Sequence, residues 1–237
     1  MYSIRPSTFA DIPAIRELWT LCFGDSGDYM DTFLTCCHAL HPDRTLVLEE
    51  DGLVRSMTTW METSFVTADG ITHPAAYIYA VATHPEARSR GFAAKVLAWA
   101  EEHLRTLGFS AMTTVPSEPS LHNYYGSLGF QECFCHDQLQ AAPAAGVDST
   151  CSLTPITPAA YGKLREALLS GIPHISFPED VLAYQKGCST LSGGDLYQVS
   201  TPFGPAALCA EGMEDGSLLV KELLAPPAVR EHLPASL

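Results

Sequence analysis

Basic and small residues stand together in the segment from Arg88 to Ala93, which has the pattern R-x-x-G-x-A. The apolar run Tyr77–Ala82 before it predicts a buried strand, and the Ala-, Leu- and Glu-rich residues after it predict a helix. A loop that leads from a strand into a helix directs the first free backbone N–H groups of the helix at a ligand. Gly91 lets the backbone approach that ligand, and Arg88 and Arg90 add positive charge. These residue types predict a site for a phosphate-bearing ligand.

The chain has few basic residues, and three of them lie at this loop. Its 237 residues include 27 acidic and 13 basic side chains, for a net charge of -14, yet Arg88, Arg90 and Lys95 fall close together. A bound anion explains this clustering better than a solvated helix start does. The net charge argues against nucleic acid and anionic membranes as partners, and it weakly favours a cationic substrate.

The eight cysteines have neither a C-x-x-C motif nor a spacing typical of metal sites. We therefore expect reduced thiols and no metal. The first residues lack an apolar signal segment, and no apolar run approaches the roughly 20 residues of a membrane helix. A cytoplasmic protein without a membrane partner is the expectation.

The loop pattern is neither the P-loop G-x-x-x-x-G-K-[ST] nor the dinucleotide loop G-x-G-x-x-G. It resembles the acyl-CoA pyrophosphate loop of the GNAT superfamily of N-acetyltransferases, whose pattern is [QR]-x-x-G-x-[GA]. A second segment, Tyr124–Phe130, reads Y-Y-G-S-L-G-F and resembles the Y-x-x-L-G-F ending of the same family. The two signatures stand in the family's order with a predicted strand between them. This resemblance implies a GNAT fold.

Hydrophobic periodicity and turn residues predict the elements that hold both signatures. Strands are predicted at 2–5, 45–49, 53–66, 71–83, 110–115 and 131–139. Helices are predicted after an N-cap at Thr8, at 25–41, after the phosphate loop and at 120–127. Asp51-Gly52 favours a tight hairpin turn between the second and third strands.

The second half of the chain carries a short echo of the first. Ile4–Leu18 aligns without gaps on Leu153–Ala167, and a strand is predicted at Ser217–Leu224, but no second R-x-x-G-x-A follows it. The predicted fold class is therefore α/β with a mixed α+β sheet. It comprises a GNAT acyl-CoA N-acyltransferase domain at 1–140, a linker at 141–150 and a partial GNAT-like domain at 151–237. Whether the second copy is truncated or completed by another surface stays open. The tandem arrangement resembles acetyltransferases of the enhanced-intracellular-survival type, which acylate aminoglycoside amines.

The resemblance implies that an amine attacks the thioester carbonyl of acetyl-CoA directly, without a covalent enzyme intermediate. Strand backbone would pair with the pantetheine amides and polarise the carbonyl, and the loop would hold the pyrophosphate. The residues that this implies for cosubstrate binding are Val81, Ala82, Thr83, Arg88, Ser89, Arg90, Gly91, Phe92, Ala93 and Ala94.

The general acid and the general base need separate residues. Tyr125 occupies the position of the family's general acid, and Tyr124 is the neighbouring candidate, about 100° away around a helix. The strand before the loop contains no carboxylate, so Glu62 on the preceding strand is the first candidate for the base. His84 and His122 are the alternatives.

One position departs from the family. Many members carry an Asn shortly before the Tyr, whereas Ser117 and Glu118 stand here, which leaves the acyl preference open. The implied function is an acetyl-CoA-dependent N-acetyltransferase acting on a primary amine of a small molecule or peptide. The alternatives are a catalytically silent acyl-CoA binding or sensing module and an interaction scaffold. Homo-oligomerisation is also left open.

Overall fold

The computed structural model describes residues 1–134, 151–226 and 228. The chain divides into two compact units, one of residues 1–66 and 71–132 and one of residues 67–70 and 133–237. The predicted linker at 141–150 lies outside the described residues, so the domain boundaries drawn from the sequence stay predictions. No helix in the described ranges combines the length and apolar character needed to cross a membrane.

Five strands of the first unit lie side by side in chain order. They are β1 (Tyr2–Pro6), β2 (Thr45–Glu50), β3 (Leu53–Val66), β4 (Thr72–Thr83) and β5 (Ala111–Thr113). Strands β1 to β4 are antiparallel, and β5 joins β4 in parallel. The mixed sheet confirms the predicted fold class.

Four α-helices accompany this sheet. They are α1 (Ile12–Phe23), α2 (Gly27–Phe33), α3 (Phe92–Thr106) and α4 (Pro119–Ser127). Thr8 caps a short 3-10 turn, Phe9–Asp11, which leads into α1. The helix predicted at 25–41 is shorter, because α2 passes into a π-helical turn at Leu34–His38.

Neighbouring residues of β4 point to opposite faces of the sheet, and each face is covered by helices. Ile78 packs with Leu97 of α3 on one face. Tyr79 meets Trp19 of α1 on the other, with ring centroids 5.8 Å apart. Trp19 is 2% exposed, so β4 is held between two packed layers.

The predicted hairpin between β2 and β3 is confirmed. Asp51 and Gly52 both adopt positive φ, at 52° and 79°, as a two-residue hairpin turn with the twist of its strands requires. The strand predicted at 110–115 is shorter, because β5 pairs with β4 over three residues only. Residues 131–134 are not strand, and the remainder of the strand predicted there lies outside the described residues.

The second unit has its own antiparallel sheet, in the order β10-β9-β8-β6. Its elements are β6 (Ser152–Pro155), α5 (Pro158–Leu168), β7 (His174–Ser176), α6 (Glu179–Leu191), β8 (Asp195–Thr201), β9 (Gly204–Gly212) and β10 (Leu218–Leu224). Strands β6, β8, β9 and β10 thus follow one another across the sheet in chain order, as β1 to β4 do in the first unit.

A bulge in β10 is a further similarity between the two sheets. The extra residue, Lys221, precedes Pro226 by as many positions as Ala80, in the bulge of β4, precedes Pro85. The second unit thus shares strand order and a bulge position with the first, while its sequence lacks the loop.

Candidate active site

Strands β4 and β5 separate at the centre of the first unit. Their pairing ends at Tyr77 and Thr113. The Thr114 hydroxyl still donates to the Ile78 carbonyl at 3.1 Å, while β4 continues to Thr83. Within the described residues, the end of β4 therefore has no strand paired to its β5 side. An open strand edge can bind an extended ligand through backbone hydrogen bonds.

A β-bulge redirects β4 at this open edge. Tyr79 pairs with Thr59 and Ala82 pairs with Met57, so two residues of β4 face one of β3. Ala80 has a φ of 51°, which is uncommon for a residue with a Cβ. Bulges re-aim backbone groups beside active sites. The sequence carried no signal for this one, because the left-handed position is occupied by alanine and not by glycine.

The three β4 residues predicted to hold the pantetheine lie directly after the bulge. Ala82 is buried, and its carbonyl accepts from the Ser56 hydroxyl at 2.8 Å. The Thr83 carbonyl accepts from Cys22 Sγ at 3.4 Å and from Arg88 Nε at 3.3 Å. These protein contacts hold the end of β4, and Val81 is half-buried beside the bulge.

The loop between β4 and α3 is built from two left-handed residues. Ser89 has a φ of 62° and Gly91 a φ of 72°. A Cβ on Gly91 would meet no atom within 4 Å, so glycine is needed there for its backbone conformation and not for space. Before the loop, His84 Nδ1 accepts from the Glu86 N–H at 3.3 Å and caps a 3-10 turn.

Helix α3 begins immediately after Gly91. Its first turn ends in a hydrogen bond from the Lys95 N–H to the Gly91 carbonyl at 3.1 Å. The N–H groups of Phe92, Ala93 and Ala94 precede that bond and lie at the positive end of the helix dipole. The residues predicted from Ser89 to Ala94 therefore lie together at one helix start.

Both arginines of the loop contact other protein groups. Besides its bond to the Thr83 carbonyl, Arg88 places Nη2 3.9 Å from Cys22 Sγ. Arg90 donates to both carboxylate oxygens of Glu50, at 2.7 and 2.6 Å. The Arg90 guanidinium lowers the pKa of the Glu50 carboxyl below its ordinary value.

A C-terminal cap on α4 explains the second sequence signature. The Phe130 N–H donates to the Tyr125 carbonyl and the Gly129 N–H to the Gly126 carbonyl, each at 3.1 Å. Gly129 has a φ of 95°, and the rings of Tyr125 and Phe130 lie 5.4 Å apart. These are the bonds and the apolar contact of a Schellman motif. The L-G-F ending therefore fixes the chain around Tyr125.

Tyr125 is directed into the core between α3, α4 and the sheet. It is 8% exposed and packs with Trp60, Ile78 and Leu97, while Tyr124 is half-buried. Burial raises the pKa of the Tyr125 phenol, and a hydrogen bond with Thr114 opposes that rise. Since Thr114 also bonds to β4, it links Tyr125 to the point where the strands separate.

Tyr77 is a neighbouring phenol that the sequence reasoning missed. Burial raises its pKa to about 12, and nearby Tyr79 and Tyr125 contribute to the rise. The Tyr79 hydroxyl lies 3.0 Å from that of Tyr29 on α2. Tyr77 remains protonated near neutral pH. The signal in the sequence is the alternation of Tyr77 and Tyr79 within the apolar run that predicts the buried strand.

The three candidates for the general base lie outside the buried cluster around Tyr125. Glu62 is 57% exposed and accepts from Arg44 Nη2 at 2.7 Å. His84 caps the turn before the loop. His122 is exposed, with Nδ1 2.8 Å from Glu132 Oε1. Their catalytic roles stay predictions.

Comparison with known proteins places this geometry in a family. The sequence model described as "Acetyltransferase (GNAT) domain" matches residues 3–133, more than half of the chain. None of the curated protein sequences compared with the chain matches it.

Three solved structures share the fold at low sequence identity. A GCN5-related N-acetyltransferase from Anabaena variabilis is 14% identical, with a TM-score of 0.69 over 99% of this chain and 60% of that one. One from Kribbella flavida is 15% identical, with a TM-score of 0.66 over 100% of this chain and 60% of that one. Eis1 from Mycobacterium abscessus is 13% identical, with a TM-score of 0.67 over 98% and 63%.

The chain spans about three fifths of the length of these structures, and at such identities the likeness concerns the fold alone. The family match is independent of them, and it includes the loop at the start of α3, the open edge of β4 and the capped helix that carries Tyr125. The chain belongs to the GNAT family of acetyltransferases.

Proposed function

We propose that this protein is an acetyl-CoA-dependent N-acetyltransferase that transfers the acetyl group to a primary amine of a small molecule or peptide. The observation that carries the proposal is the family match over residues 3–133, which includes both the loop and Tyr125. The open edge of β4 supports it, because this edge runs from the start of α3 towards the residues around Tyr125.

In this proposal, backbone groups hold the cosubstrate. The N–H groups at the start of α3 bind the pyrophosphate, where the helix dipole favours negative charge. The backbone of Val81 to Thr83 pairs with the pantetheine amides, and an N–H beside the bulge polarises the thioester carbonyl.

The reaction forms one N–C bond and breaks one C–S bond. The neutral amine attacks the carbonyl carbon, and the tetrahedral intermediate collapses with departure of the CoA thiolate. Tyr125 donates its phenolic proton to that thiolate. Its raised pKa suits this role, because burial keeps the phenol protonated near neutral pH. The proton lost by the amine passes to a base, for which Glu62 is the proposed group, and then to solvent, from which the Tyr125 phenolate regains its proton.

Turnover assays test the proposal directly. Release of CoA from acetyl-CoA is measured with polyamines, aminoglycosides, amino acids and peptides, and thermal unfolding is measured with and without CoA. We expect stabilisation by CoA and turnover with at least one amine class. Stabilisation without turnover across the panel would indicate an acyl-CoA binding module. A chain that CoA does not stabilise would contradict the proposed function.

A further inference from the structure

An ion pair anchors the phosphate loop to the sheet. Arg90 lies in the loop and Glu50 is the last residue of β2. Nη1 and Nη2 of Arg90 each reach a different oxygen of Glu50, at 2.7 and 2.6 Å. Such a two-bond arrangement fixes the orientation of the guanidinium as well as its position.

The same guanidinium also covers the start of α3. The Arg90 Cζ atom lies 4.4 Å from the ring centroid of Phe92, the first residue of the helix. Phe92 is 3% exposed and packs against Leu46 and Leu48 of β2. Arg90 therefore contacts both the last residue of β2 and the first residue of α3, which directly follows Gly91.

The loop needs an anchor because its backbone is not in a preferred conformation. Ser89, directly before Arg90, has a φ of 62°, in a region that L-residues other than glycine rarely occupy. Residues in such conformations persist only where surrounding contacts over-determine them. The bonds of Arg90 to Glu50 supply such a contact one residue away.

We propose that Glu50 and Arg90 form a staple that holds the loop in its phosphate-binding shape, with Arg90 as a positioning residue and the backbone N–H groups as the phosphate ligands. This inference rests on the proposed function, since the ligand is CoA. It gives Arg90 a role different from direct charge attraction, because the carboxylate of Glu50 neutralises the guanidinium.

The two roles of Arg90 lead to opposite results when Glu50 is changed. If Arg90 positions the loop, Glu50→Gln and Arg90→Gln remove the same staple and each raises the Kd for CoA about three- to fivefold. The double variant Glu50→Gln/Arg90→Gln is then no worse than either single variant. If Arg90 binds phosphate, Glu50→Gln removes a nearby negative charge and leaves the Kd unchanged or lower. That result would overturn the proposal.

A charge-swapped pair provides the rescue test. In Glu50→Arg/Arg90→Glu the two bonds can form with reversed polarity, so we expect the Kd for CoA to return towards that of the wild type. Direct phosphate binding predicts the opposite, because a carboxylate at position 90 would repel the ligand. Steady-state kinetics distinguish weaker CoA binding from a general loss of active protein. We expect the KM for acetyl-CoA to rise in the single variants while kcat and the KM for the amine stay unchanged.

An ion pair within α3, the helix that follows the loop, is the matched control. Arg105 bonds to Glu101 at 2.6 Å on the exposed face of α3. Glu101→Gln and Arg105→Gln should leave the Kd for CoA at the wild-type value. An equal rise of the Kd in these variants would show that the loss of an ion pair weakens CoA binding through the stability of α3. That result would contradict the staple.

Limited trypsin digestion tests the staple without CoA. We expect cleavage after Arg88 to be several-fold faster in Glu50→Gln and in Arg90→Gln than in the wild type, because the loop is released. Equal cleavage rates would contradict the staple whatever the protein binds. If the wild-type chain binds no CoA, the proposed function fails, and the cleavage rates still decide whether the pair holds the loop.

Discussion

Tyr125 and Phe130 contact each other across the C-terminal cap of α4, with the Phe130 N–H donating to the Tyr125 carbonyl at 3.1 Å and the two rings 5.4 Å apart. Phe130 thus holds Tyr125, the candidate general acid, through both a backbone hydrogen bond and a ring contact. Since Gly129 between them is left-handed, the geometry depends on one glycine.

Removal of the Tyr125 hydroxyl should affect catalysis more than binding. We expect Tyr125→Phe to lower kcat about a hundredfold, because the departing thiolate loses its proton donor, with little change in the Kd for acetyl-CoA. Tyr124→Phe is the matched control and should retain nearly full activity. An unchanged kcat in Tyr125→Phe would remove this residue from the mechanism.

Replacement of Gly129 should destabilise the first unit. Its φ of 95° is strained for any residue with a Cβ, so Gly129→Ala should lower the free energy of unfolding by about 1 kcal/mol. Gly126→Ala is the control, because a Cβ at Gly126 meets no atom within 4 Å and its φ is not positive. Urea denaturation compares the two. Equal effects would show that the left-handed cap contributes nothing.

The role of Glu62 is tested by its neutral isostere. We expect Glu62→Gln to lower kcat/KM by about a hundredfold across the pH–rate profile, because the base is lost. Glu132→Gln, which changes the exposed partner of His122, should leave the profile unchanged. A Glu62→Gln profile that matches the wild type would exclude Glu62 as the base.

Buried His38 should make stability depend on pH. Burial lowers its pKa from the ordinary value of 6.5, with the charge of Asp11 acting against this. Its Nε2 lies 3.1 Å from the Ser7 hydroxyl, which donates to the Pro42 carbonyl, and Nδ1 has no partner within the described residues. The unfolded chain therefore binds a proton before the folded chain does as the pH falls below 6.5.

Stability should accordingly be lost between pH 6.5 and the lower pKa of the folded state, by up to about 1.4 kcal/mol per pH unit. Urea denaturation at pH 7.5 and 5.5 measures this loss. We expect a smaller pH dependence in His38→Asn, whereas His73→Asn, at an exposed position, should behave like the wild type. The same pH dependence in His38→Asn would assign the effect to other groups.

Features that depend on neighbours in the sequence were predicted well. The hairpin at Asp51-Gly52 follows from backbone conformations that few other residues adopt, and the helix predicted at 120–127 is α4. The strand, loop and helix around Gly91 follow from hydrophobic periodicity and from one glycine. The length of β5 was overestimated, because residue pattern does not report where two parallel strands separate.

Contacts between distant segments required the tertiary structure. Glu50 and Arg90 are brought together because α3 packs against β2, and Thr114, which directly follows β5, bonds to both Ile78 and Tyr125. The left-handed Ala80 is set by the pairing of β3 with β4, since nothing in an alanine favours it. Local sequence thus determined which residues could form an acyl-CoA loop. The packing of the sheet decided which charges are already paired and which backbone groups remain open to a ligand.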